Sequence, residues 1–265
     1  MSDINRYIIS VIFILSLQAC SDSTQPDEIE PELQFTKISP ADDSNVPDPI
    51  KVLYLDDAAI ITLWAVMEDS SDLLYDVDLP KDFIVNIYNG LIHIYNNREM
   101  LDSLTYIFRY DLHILNRARV HRISTRVDST VDWVGNWLEG EIHTDNDEIN
   151  RFITEYNLYI ESYYIPPPPD LPLVVLESEI HINTYALAEK LEVIDGIVSA
   201  MNIIGSANVD LSAFDTGSDW EFEYFYSWGA CNLNPVDCQF KHYWVVKVNP
   251  KGDVSLLEDY GDEIP

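Results

Sequence analysis

Cys231 and Cys238 stand seven positions apart, with Asp237 between them and His242 close behind, a set that offers either a disulfide or ligands for zinc. A structural zinc site takes about four well-placed nitrogen or sulfur ligands, and this group supplies three at most. The flanking segments, 221–228 and 242–249, read as strands, so the intervening loop spans a hairpin whose paired ends could bring two α-carbons within disulfide reach. The expectation is therefore a Cys231–Cys238 disulfide and no metal. The six histidines (His93, His113, His121, His143, His181 and His242) fall on different elements without HExxH or HxH spacing, and read as ordinary core or surface residues. The acidic groups Asp145, Asp147 and Glu148, and Asp210, Asp215 and Asp219, depart from the EF-hand order and read as solvated loops. Glu177 and Glu179 share one face of a predicted strand, again a solvated arrangement. With no GxSxG elbow and only nine glycines, the chain shows no nucleophile turn and no phosphate-cradling loop. No catalytic residue and no cofactor is assigned.

The aromatic residues form the other conspicuous group: six tryptophans, sixteen tyrosines and nine phenylalanines. Near the C-terminus Trp220, Tyr224, Tyr226, Trp228, Tyr243 and Trp244 crowd two predicted strands. Aromatic side chains there either fill a core or present faces to a partner, as protein anchors or as platforms for sugar rings. Tyr226, Trp228, Tyr243 and Trp244 are the candidate binding residues.

Residues 7–17 (YIISVIFILSL) form an apolar run behind Arg6. As a helix, eleven residues rise about 16 Å, far short of the roughly 30 Å hydrocarbon core, so the run reads as the hydrophobic region of a signal peptide. Leu17, Gln18, Ala19 and Cys20 follow it. This tetrad resembles the lipobox of bacterial lipoproteins, in which an aliphatic, a variable and a small residue precede the cysteine that is lipidated and becomes the new N-terminus. The resemblance implies a lipid anchor on Cys20 and an extracytoplasmic address where Cys231 and Cys238 can stay paired. Ser21, which is not the Asp associated with inner-membrane retention in that family, implies the outer membrane or cell surface of a Gram-negative bacterium, on its periplasmic or extracellular side.

Forty-six acidic residues against fifteen basic ones give a net charge of -31. Such a field repels phosphate backbones, which excludes nucleic-acid binding, and favours cations. At 47% hydrophobic residues the chain still has the means to build a core, so the acidity belongs to its surface.

These candidates need a scaffold, and the chain divides into five parts. A signal peptide (1–19) precedes the lipidated cysteine and an acidic, Pro-rich tether (20–49), expected to be extended and unfolded. Residues 50–115 read as a helical segment: Ile60, Leu63, Trp64 and Met67 line one face of a first helix, and Phe83, Ile84, Ile87, Leu91 and Ile94 one face of a second that Asp78 can cap. Residues 116–205 read as strand, helix, strand, strand, helix, strand, with helix starts near Ser129, Thr144 and Asn183, a Pro166–Pro169 connector and an Asp195-Gly196 turn. That order predicts a split βαβ, ferredoxin-like sandwich. Residues 206–265 read as an antiparallel hairpin or meander closed by the disulfide. The fold class is α+β.

Leu187, Ala188, Leu191, Ile194, Gly196, Ile197 and Ala200, in the stretch LAEKLEVIDGIVSAMN, resemble the second half of the propeptide, or inhibitor, domain of subtilisin-like proteases. The resemblance covers residues 119–204 and implies the same split βαβ fold and a protease-binding role in trans. The expected function is a non-catalytic, lipid-anchored interaction module for a secreted or surface protein, a subtilisin-like protease being its sharpest version. A glycan-binding lipoprotein and a hydrolase with a carboxylate site are the alternatives.

Overall fold

The structure, a computed structural model, describes residues 33–68, 72–99, 104–109, 112–114, 117–202, 211–230 and 238–265. The signal segment, Cys20, Asp210, Cys231 and Asp237 lie outside the described residues. No described helix is long and apolar enough to cross a membrane. The described chain is mixed α+β, with six α-helices and two four-stranded antiparallel sheets among the described residues.

Helix α1 (Asp48–Glu68) starts twelve residues before Ile60, the first residue of the expected apolar face, and its middle is buried almost all round, through Ala58, Ala59, Ile60, Ile61, Leu63 and Val66. A helix with one apolar stripe would leave half of these in water; here α1 packs both on α2 (Lys81–Asn96) and beside the 3-10 turn Arg117–Val120. Asp78 does not cap α2. The N-cap is Pro80, which makes no side-chain hydrogen bond, while Asp78 forms a β-bridge with Ile182. A short helix α3 (Leu104–Arg109) follows.

Residues 33–47 depart from the expected unfolded tether. Leu33, Ile38 and Val46 are buried, and α2 satisfies the adjoining backbone: the Ile38 and Ala41 amides donate to Asn86 Oδ1 and Asn89 Oδ1 at 2.7 and 3.1 Å. Buried apolar residues and hydrogen bonds with α2 thus order a segment whose composition reads as disordered.

The first sheet comprises β1 (Arg122–Val127), β2 (Leu158–Tyr164), β3 (Leu173–Ser178) and β4 (Ile197–Asn202), in the order β2-β3-β1-β4 with every neighbour antiparallel. Between β1 and β2 lie α4 (Val134–Leu138) and α5 (Asp147–Glu155); between β3 and β4 lies α6 (Thr184–Glu192). Asn183 caps α6 as expected, its side chain accepting from the Tyr185 and Ala186 amides, whereas α5 is capped by Asn146 and not by Thr144. Val174 and Leu176 of β3, Ile123 and Val127 of β1 and Leu187 and Leu191 of α6 share one core with Trp133 and Trp137.

The second sheet is a meander of β5 (Leu211–Asp215), β6 (Trp220–Trp228), β7 (Phe240–Val248) and β8 (Val254–Gly261). β5 was not among the expected strands. Trp220, Phe222 and Tyr224 alternate inward and meet α1 and α2 in a second core, where Gly90 of α2 lets the helix approach the Phe222 ring. The Trp220 indole donates to the Thr36 carbonyl at 2.6 Å, fastening the 33–47 segment to the same core.

Candidate functional site

Helix α1 contributes residues to the helical core and carries two consecutive buried carboxylates, Asp56, which reaches the rim of the first sheet, and Asp57, which does not. Successive helical residues point about 100° apart, so the two leave α1 on different faces and meet different histidines.

Asp57 has no exposed surface. Its Oδ2 accepts from His113 Nδ1 at 2.7 Å and its Oδ1 from the Ile114 amide at 3.0 Å. The His113 ring tilts against Tyr54, centroids 5.2 Å apart. Burial, together with the Asp57 charge, pushes the Tyr224 phenol up, and the Tyr224 hydroxyl is buried without a hydrogen-bond partner among the described residues. A cavity of about 230 Å³ opens beside this pair, lined by Tyr54, Tyr95, Arg98, Phe108, Leu112 and His113, with the Arg98 guanidinium 4.1 Å from the Tyr95 ring centroid.

Asp56 faces the other way. Its Oδ1 lies 2.9 Å from His181 Nε2 and 3.5 Å from His121 Nε2, and the two imidazole centroids are 4.7 Å apart. Burial disfavours the Asp56 carboxylate, but the hydrogen bonds and charge of His121 and His181 outweigh it and hold Asp56 well below the usual carboxylate range. The side chains are 11%, 18% and 18% exposed for Asp56, His121 and His181, which leaves the cluster shielded yet reachable by a small solute.

Both histidines are placed by the sheet. His121 immediately precedes β1 and His181 follows the end of β3, and because β1 and β3 pair antiparallel these two ends are neighbours. The Ser178 amide donates to the His121 carbonyl at 2.8 Å and the Ile182 amide to the Val120 carbonyl at 2.9 Å, so one ladder secures both sides. Asn183 then ties the His181 loop to the end of a second 3-10 turn, Asp72–Tyr75, donating to the Leu74 and Asp76 carbonyls at 3.0 Å each. His121 Nδ1 lies 3.1 Å from the Ser178 carbonyl; a carbonyl only accepts, so this nitrogen carries a proton.

The four aromatic candidates divide. Trp244 is wholly buried in the helical core, stacked on Tyr106, and its ring is closed to a partner from solvent in this fold. Tyr226 and Trp228, both half-buried, continue the inner face of the sheet; Tyr226 stacks on Trp228 at 5.3 Å and Trp228 on Phe240 at 5.7 Å. Tyr243 lies on the opposite face, between Phe225 at 4.9 Å and Tyr260 at 5.0 Å, forming an outward aromatic row across three strands. Cys238 is buried; its expected partner lies outside the described residues.

His242 is engaged elsewhere, at 2.7 Å from both the Asp262 carbonyl and Asp259 Oδ1. Glu177 pairs with Arg122 at 3.0 Å, with Glu161 on the same guanidinium at 2.9 Å. The convergence of Asp56, His121 and His181 has no linear signature, since 65 and 60 positions separate its members. One signal was present: in a split βαβ order the start of the first strand lies beside the end of the third, where His121 and His181 stand. Comparison with known protein families, curated proteins and solved structures finds no significant match to this chain.

Proposed function

We propose that this chain is a lipid-anchored, extracytoplasmic interaction module, held at the outer membrane through Cys20 and engaging a secreted or surface protein through its C-terminal sheet. The observation that carries this reading is the outward row Phe225–Tyr243–Tyr260, which sets three aromatic rings in contact on the solvent face of β6, β7 and β8. Large amphipathic rings on a rigid sheet give contact area at little conformational cost, the property of interface anchors. Tyr260 is 44% exposed, so the row is accessible.

The strand order β2-β3-β1-β4 with antiparallel neighbours supports a split βαβ, ferredoxin-like reading of residues 116–205. Burial of Leu187, Ala188, Leu191, Ile194, Ile197 and Ala200 is consistent with the resemblance to protease propeptides, and a subtilisin-like protease is the sharpest partner. Cys231 and Cys238 are proposed to close the β6–β7 loop as a disulfide. The near-parallel rings Tyr226, Trp228 and Phe240 favour a second reading, in which the hairpin end stacks on a glycan.

The test immobilises the mature chain through its N-terminus and exposes it to envelope extract and culture medium, with bound protein and bound sugar both identified. A specific protein lost on Tyr243→Ala and Tyr260→Ala supports the module. Polysaccharide lost on Trp228→Ala selects the glycan reading, and retention of neither rejects both. Cys20→Ala is expected to leave the precursor uncleaved; a normally processed, acylated product would remove the anchor.

A further inference from the structure

We infer that Asp56, His121 and His181 form a binding site for a divalent transition-metal ion of the zinc class, at the seam where α1 meets the rim of the first sheet. One ligand atom from each of the three lies within 4.8 Å of the other two. Around tetrahedral zinc, with bonds of about 2.0–2.1 Å, ligand atoms are about 3.3 Å apart. The distances from Asp56 Oδ1 to the two imidazole nitrogens, 2.9 and 3.5 Å, bracket that edge, and the ligand atoms of the two histidines, within 4.8 Å of each other, would close on a bound ion.

The protonation pattern points the same way. The Ser178 carbonyl keeps a proton on His121 Nδ1, so Nε2 is the nitrogen that faces Asp56, 3.5 Å away, and the one that would bind an ion once the ion displaces its proton. An imidazole whose other nitrogen donates to a backbone carbonyl is also the usual arrangement of a metal-bound histidine, because that hydrogen bond fixes both tautomer and ring orientation. Two imidazoles and one carboxylate are a donor set that zinc accepts, with a remaining position for water. The net charge of -31 raises the local concentration of divalent cations.

The ion would fasten parts of the molecule that belong to different cores. Asp56 belongs to α1, whose neighbouring residues Ala58, Ala59 and Ile60 lie in the helical core, whereas His121 and His181 flank strands of the first sheet, whose Ile123 and Leu176 lie in the other. A metal bound there acts as a staple, and its binding energy is available to folding. This inference is independent of the aromatic surface proposed above.

The test uses the tag-free full chain stripped with chelator and titrated with zinc chloride by calorimetry, with thermal unfolding followed in parallel. One equivalent is expected to bind, and zinc at a hundredfold excess over Kd is expected to raise Tm by roughly 5–10 °C. His121→Gln and His181→Gln, which retain polar side chains, should each weaken binding by more than about tenfold and abolish the shift, while His143→Gln should do neither. Cobalt in place of zinc should give the visible absorption of a low-symmetry, four-coordinate ion in the wild type only. No binding to a chain that stays folded by near-ultraviolet circular dichroism would overturn the site, leaving a purely ionic cluster. Binding that survives both histidine variants would overturn it equally, by placing the ion on the acidic surface.

Discussion

Asp56 Oδ1 and His181 Nε2 are 2.9 Å apart although 125 residues of chain separate them, and the contact joins the first helix to the loop that follows β3. In chelator, where no metal contributes, Asp56→Ala removes the acceptor that both imidazoles share in a shielded site. A loss of about 3–5 kcal/mol is expected by urea denaturation, the range for breaking a buried charge pair, against about 1–3 kcal/mol for His181→Ala, which leaves His121 beside the carboxylate. Equal losses would mean that the two imidazoles do not share the load.

The neighbouring carboxylate should behave differently. Asp57 serves His113 and the Ile114 amide from a position with no exposure. Asp57→Asn keeps an oxygen for the amide but loses the charge opposite His113, so it is expected to cost less than Asp57→Ala, which should lose about 3–5 kcal/mol. Calorimetric unfolding of both variants checks the order. Neither should alter zinc stoichiometry.

Gly90 tests whether helix propensity or packing governs α2. Alanine in a helix interior is favoured over glycine by about 1 kcal/mol. Here the added methyl would sit 2.9 Å from Phe222 Cε2, closer still to Cζ, and 3.1 Å from Ile38 Cδ1. Overpacking costs about 1–3 kcal/mol, so Gly90→Ala is expected to lower stability, with a matching fall in the denaturant midpoint. A rise in the midpoint would show that α2 can move away from the second sheet.

Alkaline pH should act on the fastening of the 33–47 segment. The Tyr88 hydroxyl donates to Asp43 Oδ2 at 3.0 Å; burial, then the hydrogen bond and charge of Asp43, push its pKa from 10.0 up to about 12. The folded state therefore favours the protonated phenol. Its contribution is complete below pH 10 and is lost as pH rises toward 12. The stability difference between wild type and Tyr88→Phe should accordingly shrink across that interval. A difference that stays constant there would show that the pair adds no proton-linked stability.

Local signals were legible because they act over a few residues. Asn183 caps α6 through amides two and three positions on, and Gly196 takes the positive φ that the Asp195-Gly196 turn requires. The 33–47 segment misled for the complementary reason. Its prolines and acidic residues describe the chain's own preference, while its order comes from Asn86 and Asn89 some fifty positions away. The all-round burial of α1 was illegible in the same way, since a helix reveals its apolar residues but not how many partners surround it.

The sequence by itself determined the α+β class, the acidic composition and those local elements whose signals lie within them, such as the Asn183 cap of α6, because period, capping and composition are properties of neighbours along the chain. Only the tertiary structure decided that Trp244 is core while Tyr243 faces outward, and that Asp56, His121 and His181 converge. Those outcomes depend on strand register and on which helix packs against which sheet rim, where a shift of one residue exchanges inside for outside and separates the three ligand atoms.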